Sequence, residues 1–320
     1  MKNHLAGQYW SNWQLTLDAK KQSSQQSTFV DWAGHPSVWG LVSNEVFGFE
    51  GRRSVNSDFA ELIARAVSHL ERPRALSLCC GDGEFELGLM QREVIASIDG
   101  LDIASARVEA AKMRLEMAPF LGLECRFFVE DVNRLVLKPR SYDLVIAKSA
   151  LHHVESLERL FEEVYWALCP EGSLVAIDFF GPSRFQWTDR QLELAQSFWN
   201  ERVPDEIRRR ARAEGLATIP RLSLDAMMEL DPSEAARSSE IMSAALELFR
   251  VDSEIPLGGT ILNLLLWGNR VNYFDPHNKL HNCCLEQAFK LERQLIREGA
   301  IQSDFRAIVL KPRVGSERHA

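Results

Sequence analysis

Residues 75–102 constrain this chain more than any other stretch. Ala75-Leu76-Ser77-Leu78-Cys79 is a mostly apolar run that enters a small-residue turn, Cys80-Gly81-Asp82-Gly83. A helical segment over 84–91 follows, and a second apolar run from Val94 to Leu101 ends in Asp102. Leu76 and Leu78 alternate with smaller neighbours, as in a buried strand. Gly81 and Gly83 permit a sharp strand-to-helix turn and let the backbone approach a ligand closely. Asp102 stands about 20 residues beyond the turn, at a strand end, where a carboxylate accepts hydrogen bonds from both hydroxyls of a ribose. These features predict a β-α-β unit that binds a nucleoside. A tight turn plus a surface aspartate is the plainer reading of the same residues.

The alternation continues downstream. Strands are predicted over 123–131, 141–149 and 173–180, with helices over 104–117 and 157–168 and a helix over 57–70 before the first strand. Such alternation predicts an open parallel sheet with helices on both faces. From Gly181 to Leu248 the pattern is helical. Strands over 249–256 and 304–310 then frame helices near 259–274 and 279–298. The chain therefore divides into an N-terminal arm and aromatic lid (1–54), an α/β core (55–180), a helical cap insertion (181–248), and C-terminal strands with inserted helices (249–320). The arm opens on Tyr9, Trp10 and Trp13, and the lid is the loop Phe29-Val30-Asp31-Trp32-Ala33-Gly34-His35-Pro36. A cap placed this way covers the carboxyl edge of the sheet, where open α/β sheets bind ligands.

Composition narrows the function. The net charge is −8 over 320 residues, which argues against a nucleic-acid partner. The one dense basic cluster, Arg208 to Arg210 with Arg212, lies beside Asp205, Glu206 and Glu214 and reads as a solvated helix face. The six cysteines show neither zinc nor disulfide spacing, which fits a reducing cytoplasm. His277, His281, Cys283 and Cys284 read as ordinary helix rather than a metal cluster. No run of 18 apolar residues and no leader-like start is present, so no membrane partner is expected.

Read in order, Cys80-Gly81-Asp82-Gly83, Asp102, Glu130-Asp131-Val132, Tyr142-Asp143-Leu144-Val145, Leu151-His152-His153-Val154 and Leu168-Cys169-Pro170-Glu171-Gly172-Ser173-Leu174 resemble a class I S-adenosylmethionine-dependent methyltransferase. The helical cap resembles that of bacterial small-molecule enzymes of this kind. The resemblance implies a Rossmann-like seven-stranded sheet, mostly parallel with an antiparallel C-terminal strand, and S-adenosyl-L-methionine as cofactor. It implies that Cys80, Gly81, Asp82 and Gly83 pack against the methionine part. It further implies that Asp102 and Ile103 hold the ribose, that Asp131 and Val132 read the adenine, and that Lys148 and Ser149 lie near the sulfonium. Two positions depart from the family: Cys79 stands where it usually has glycine, and Ser77 where it usually has an acidic residue. They keep a non-catalytic, cofactor-binding regulatory or partner protein as the alternative. A nicotinamide dehydrogenase is disfavoured, because Gly81-Asp82-Gly83-Glu84-Phe85-Glu86 lacks the third glycine of its turn.

The resemblance also implies a reaction, methyl transfer to an oxygen or nitrogen of a small polar metabolite, such as a natural-product or sugar-containing intermediate. A hydroxyl acceptor needs a general base, and histidine suits that role. His152 and His153 follow the fourth strand. His153 is taken as pocket-facing and His152 as packing, with little to separate them, and His35 on the lid is a further candidate. For the acceptor, Asp178 and Phe180 end the fifth strand, and Arg184, Gln186 and Trp187 alternate polar and aromatic groups. Glu234 and Arg237, three apart on a predicted helix, either bind the acceptor or pair with each other. Related ubiquinone-pathway enzymes place two glutamates before the histidine of this turn. Ser149 and His152 stand there instead, so no metal is expected. The oligomeric state stays open, with a homodimer compatible.

Overall fold

The computed structural model describes residues 31–51, 53–118 and 124–313. The predicted arm with Tyr9, Trp10 and Trp13 lies outside the described residues.

Seven strands form one sheet: β1 (Arg74–Leu78), β2 (Ser97–Asp102), β3 (Glu124–Val129), β4 (Tyr142–Lys148), β5 (Leu168–Phe179), β6 (Phe249–Gly258) and β7 (Phe305–Pro312). Their order is β3-β2-β1-β4-β5-β7-β6. The first five are parallel, and β7 runs antiparallel to both β5 and β6. This is the predicted Rossmann-like sheet with its reversed C-terminal strand. β1 and β4 lie at the centre, and Leu76, Leu78, Leu144, Val145 and Ile146 are buried, as strands covered by helices on both faces require.

Each face has its own core. One is rich in aromatic side chains, among them Trp32, Trp39, Phe59, Phe85, Phe179 and Trp199. The other is mainly aliphatic and packs Leu76, Val145, Leu160, Val164 and Ile308 together. The helix Val55–Ala66 starts on a reciprocal cap between Ser54 and Ser57, and the cap helix Asp189–Arg202 on another between Thr188 and Gln191. Such caps satisfy backbone N–H groups that the first helical turn leaves unpaired.

Two predicted boundaries shift. Cys169-Pro170-Glu171-Gly172, left between the predicted helix over 157–168 and the predicted strand over 173–180, belongs to the extended run of β5, and the register slip against β4 between Tyr142 and Leu144 absorbs it. The predicted helix over 259–274 divides into Ile261–Leu266 and a 3-10 segment, Gly268–Tyr273, because Trp267 is extended (ψ 136°).

The second half is anchored by one buried carboxylate. Glu292, on the helix Lys279–Arg297, is fully buried. Its Oε1 accepts from Gly259 N–H (2.9 Å), and its Oε2 accepts from Thr260, Ile261 and Leu262 (2.8, 2.5 and 3.0 Å). These are backbone donors at the start of the helix Ile261–Leu266, where a carboxylate also meets the positive end of the helix dipole.

Candidate active site

A cavity of about 560 Å³ opens where the carboxyl ends of β1 and β4 meet the cap. This is the switch point of the sheet, since the chain leaves β1 toward β2 on one side while β4 lies on the other. The volume falls within the usual ligand-pocket range of roughly 300–1,000 Å³.

The turn after β1 forms one end. Cys79 and Gly83 both have left-handed backbone (φ 52° and 71°). A Cβ on Gly83 would come within 2.7 Å of the Phe127 ring and 2.9 Å of Ala111, so glycine is required there both for conformation and for space. Cys79 adopts a φ that favours glycine, which gives a physical reason for glycine at that position in related turns. Asp102 is buried at the end of β2. Its Oδ2 accepts from Gly81 N–H and its Oδ1 from Ala104 N–H, each at 2.9 Å. Burial pushes its carboxyl up, opposed by the field of Arg107 and these two bonds. Asp131 caps the 3-10 turn Val132–Arg134 by accepting from Asn133 N–H at 3.0 Å. Cys80, Gly81, Asp82, Asp102, Ile103, Asp131, Val132, Lys148 and Ser149 all line the cavity; Gly83 stands behind the turn, against Phe127.

The other end is built around the histidine turn. His152 is clamped: its Nδ1 lies 2.5 Å from Asp178 Oδ1 and its Nε2 lies 3.4 Å from Glu234 Oε1. Burial works against its charge, but Asp178 and Glu234 outweigh it and raise the imidazole to about 9. His153 lies against it, ring centroids 4.0 Å apart and planes tilted by 43°. Burial first, and then the neighbouring His152 charge, holds His153 well below the ordinary histidine value. The Ser233 hydroxyl lies 2.7 Å from Asp231 Oδ1 and 3.2 Å from His153 Nδ1. When Ser233 donates to the carboxylate, which can only accept, its lone pair meets Nδ1–H of His153, and the basic lone pair falls on Nε2. The pair therefore carries a cation and a neutral base side by side.

Several predicted site residues lie elsewhere. Asp178 is buried beneath the cavity: its oxygens accept from the backbone of Ala150, Leu151 and Phe179 and bond to His152, so it positions the histidine turn rather than an acceptor. His35 is fully buried against the carbonyl of Phe274, 2.9 Å from its Nε2, away from the cavity wall. Phe180 packs into the aliphatic core. Arg184 donates to the carbonyls of Pro232 and Glu234, and Gln186 to those of Arg184 and Leu222, so both hold cap backbone. Trp187 is buried behind Phe185, with ring centroids 5.1 Å apart. Arg237 pairs with Glu158 and Glu240, not Glu234. The predicted helix through 234–237 does not form, because Asp231 bonds back to Ser233 N–H at 2.8 Å and starts a turn. That turn brings Glu234 to the cavity and leaves Arg237 outside its lining. His281 accepts from Asp275 N–H at 2.9 Å.

The sequence reading also missed residues that line the cavity. Glu86, Asn263, Asp231, Phe179, Phe185, Trp267 and Phe305 do so, as does Trp32 of the predicted lid. Trp32 Nε1, Glu86 Oε2, Asp231 Oδ2 and Asn263 Nδ2 are buried with no hydrogen-bond partner among the described residues. Buried polar atoms rarely stay unpaired, so these four mark places where a ligand completes the site. For Glu86 a signal existed: Ser77 is a polar residue in a buried strand and needs a nearby partner. The others come from distant segments that no local pattern ties to the site. His152, His153 and Glu234 also offer donor atoms within 4.8 Å of one another, a set able to hold a small cation.

Comparison with known proteins agrees with this geometry. A family profile described as a methyltransferase domain matches residues 76–176. A malonyl-[acyl-carrier protein] O-methyltransferase of Ilyobacter polytropus is 31% identical over 130 residues, covering 38% of this chain and 46% of that protein. A demethylmenaquinone methyltransferase of Thermus thermophilus is 30% identical over 111 residues, covering 35% of this chain and 49% of that protein. The chain thus spans about half the length of the curated relatives it matches. Among solved structures, the O-methyltransferase of a trans-AT polyketide synthase of Brevibacillus brevis, in complex with S-adenosyl-L-homocysteine, is similar with a TM-score of 0.48 and 15% identity, covering 81% of this chain and 73% of that one. No helix among the described residues is long and apolar enough to cross a membrane. Residues 76–176 thus match a methyltransferase domain, set within a seven-stranded sheet of the order β3-β2-β1-β4-β5-β7-β6.

Proposed function

We propose that this chain transfers the methyl group of S-adenosylmethionine to an oxygen or nitrogen of a small polar metabolite, with His153 as the general base. The observation that carries the reading is the neutral His153 beside the clamped, cationic His152, in the same cavity as the Cys80–Gly83 turn, Asp102 and Asp131.

Methyl transfer from a sulfonium is an in-line displacement: the acceptor's lone pair forms the new bond to carbon while the carbon–sulfur bond breaks and its electrons return to sulfur. The cofactor supplies the electrophile. The protein aligns the partners, excludes water and removes the acceptor's proton. Asp102 holds the ribose and Asp131 the adenine. Nε2 of His153 takes the proton. Burial keeps His153 neutral, reinforced by the charge of His152, which Asp178 fixes from below. Glu234 balances that charge from the cap side.

The acceptor's place is the aromatic end, walled by Phe179, Phe185, Trp267 and Phe305. There the unpartnered donors Trp32 Nε1 and Asn263 Nδ2 and the acceptor Asp231 Oδ2 suit a molecule that carries polar groups on a body able to pack against rings. Malonyl-[acyl-carrier protein] methylation by the Ilyobacter relative supports oxygen as the receiving atom.

The test is a turnover screen with methyl-labelled S-adenosylmethionine against pools of hydroxyl, carboxyl and amine metabolites, run with wild type and His153→Ala. Label transferred by wild type and strongly reduced in the variant is expected. Cofactor binding without transfer to any pool would favour the non-catalytic alternative that Ser77 and Cys79 raise.

A further inference from the structure

Glu86 is a buried acidic group whose partners among the described residues are incomplete. It sits in the first turn of the helix Glu84–Gln91 yet points inward, and its side chain is only 2% exposed. Its Oε1 accepts from the Ser77 hydroxyl at 2.6 Å. Its Oε2 is buried, has no partner among the described residues, and belongs to a residue that lines the cavity. No ion pair within 4 Å reaches it among the described residues. Lys148, from the end of β4, is the cation whose field it feels, and that ammonium stands 5.7 Å from the centroid of the Phe85 ring. Asp82 from the turn and the thiols of Cys80 and Cys125 are the other titratable groups whose fields couple to it. A carboxylate placed this way is a poor structural device, because a buried charge without a cation costs stability.

We infer that Glu86 is the receptor for the ammonium group of the cofactor's amino-acid end, with Ser77 holding one carboxylate oxygen so that the other faces the cavity. This rests on the reading of the cavity as an S-adenosylmethionine site. The cofactor carries two positive centres. The sulfonium has no hydrogen to donate and must turn its methyl toward the acceptor beside His153. The ammonium has three hydrogens and satisfies an orphaned carboxylate oxygen directly. Position agrees: Ser77 pairs with Gly100 of β2 and Ile146 of β4, so Glu86 reaches the middle of the sheet directly beneath the Cys80–Gly83 turn. Burial pushes the Glu86 carboxyl up to about 7, opposed by the Ser77 bond, so an arriving ammonium would draw off a proton the empty site partly retains. The carboxylate absent from position 77 is thus supplied by a residue nine positions later, on the helix rather than the strand.

The experiment is calorimetry at pH 8 with three ligands: S-adenosylhomocysteine, its analogue lacking the amino group, and 5′-methylthioadenosine, which lacks the whole amino-acid end. Wild type should bind S-adenosylhomocysteine about 10- to 100-fold more tightly than the deaminated analogue, the range for a charge-assisted hydrogen bond. Glu86→Gln should lose that margin, while its affinity for 5′-methylthioadenosine stays within about twofold, the scatter for a group that does not touch that ligand. Wild type binding the deaminated analogue as tightly as S-adenosylhomocysteine overturns the assignment, whether or not the variant folds. So does a Glu86→Gln protein that keeps the full margin. Wild type that binds neither S-adenosylhomocysteine nor 5′-methylthioadenosine overturns the cofactor site itself, a different outcome from either.

Discussion

Two buried glutamates divide the molecule's labour. Glu292 accepts four backbone N–H bonds through its two oxygens, closing the start of the helix Ile261–Leu266 against the helix Lys279–Arg297. Glu86 accepts one bond, from the Ser77 hydroxyl, and its second oxygen has no partner among the described residues. Both are pushed up by burial. Where the polar inventory is complete, a buried carboxylate builds the fold. Where it is left open, the fold reserves the group for something that arrives later. The same contrast separates Asp178, spent on the backbone of Ala150, Leu151 and Phe179 and on His152, from Asp231, whose Oδ2 is unpartnered at the cavity.

The contrast is broken most sharply by Glu292→Ala. It strands four donors, and chemical unfolding should show a loss of about 3–5 kcal/mol, the range for breaking a buried charged network. A loss no larger than that of a surface substitution would erase the distinction. His153→Ala comes next. Turnover should fall about a hundredfold or more, as for removal of a general base, with affinity for S-adenosylhomocysteine little changed. Equal activity in the variant would return His153 to packing. Asp102→Ala should weaken S-adenosylhomocysteine by about 1–3 kcal/mol, as for a buried acceptor removed from its partners; unchanged affinity by calorimetry would remove it from the ribose.

A pH series sharpens the histidine pair. His152 is raised above its unfolded value of 6.5 to about 9. Its contribution to stability is therefore fully present below pH 6.5 and is lost as pH rises through about 9. Wild type should lose more stability than His152→Gln between pH 7 and pH 9.5, and parallel curves would contradict the clamp. The smallest effect is expected at the turn. Cys79 adopts a φ of 52°, so Cys79→Gly should relieve up to about 1 kcal/mol of backbone strain, less whatever the added freedom of the unfolded chain removes. A clear destabilisation would mean the thiol's packing outweighs the strain.

How much of this was legible in the sequence follows from distance along the chain. Cys80, Gly81 and Asp82 of the turn, Asp102 and Asp131 are encoded locally, by apolar runs of strand length and by the spacing of successive strand ends, and the structure brings them to one cavity. The pairing of His152 with Asp178 and Glu234 is not local. It needs β5 to lie beside β4 and the turn at Asp231 to fold over both, and Ala236 N–H donates to the His152 carbonyl at 3.0 Å to secure that turn. The residues 234–237 have helical spacing but follow Asp231-Pro232-Ser233, whose side-chain-to-backbone bond competes with helix. Arg184, Gln186 and Trp187 looked like ligand groups because polar and aromatic residues alternate there; the structure uses them to hold cap backbone and to support Phe185 from behind. Glu86 was hidden by its setting, since a glutamate in a first helical turn is an ordinary preference, and only the polar Ser77 in a buried strand hints that this one faces inward.

The most direct measurement is a structure with S-adenosylhomocysteine bound. The account expects the ribose hydroxyls at Asp102, the adenine at Asp131, the amino group within hydrogen-bond distance of Glu86 Oε2, and the sulfur facing His153 across the cavity. A ligand that lies elsewhere, or one whose amino group turns away from Glu86 while the sulfur points away from His153, would contradict it.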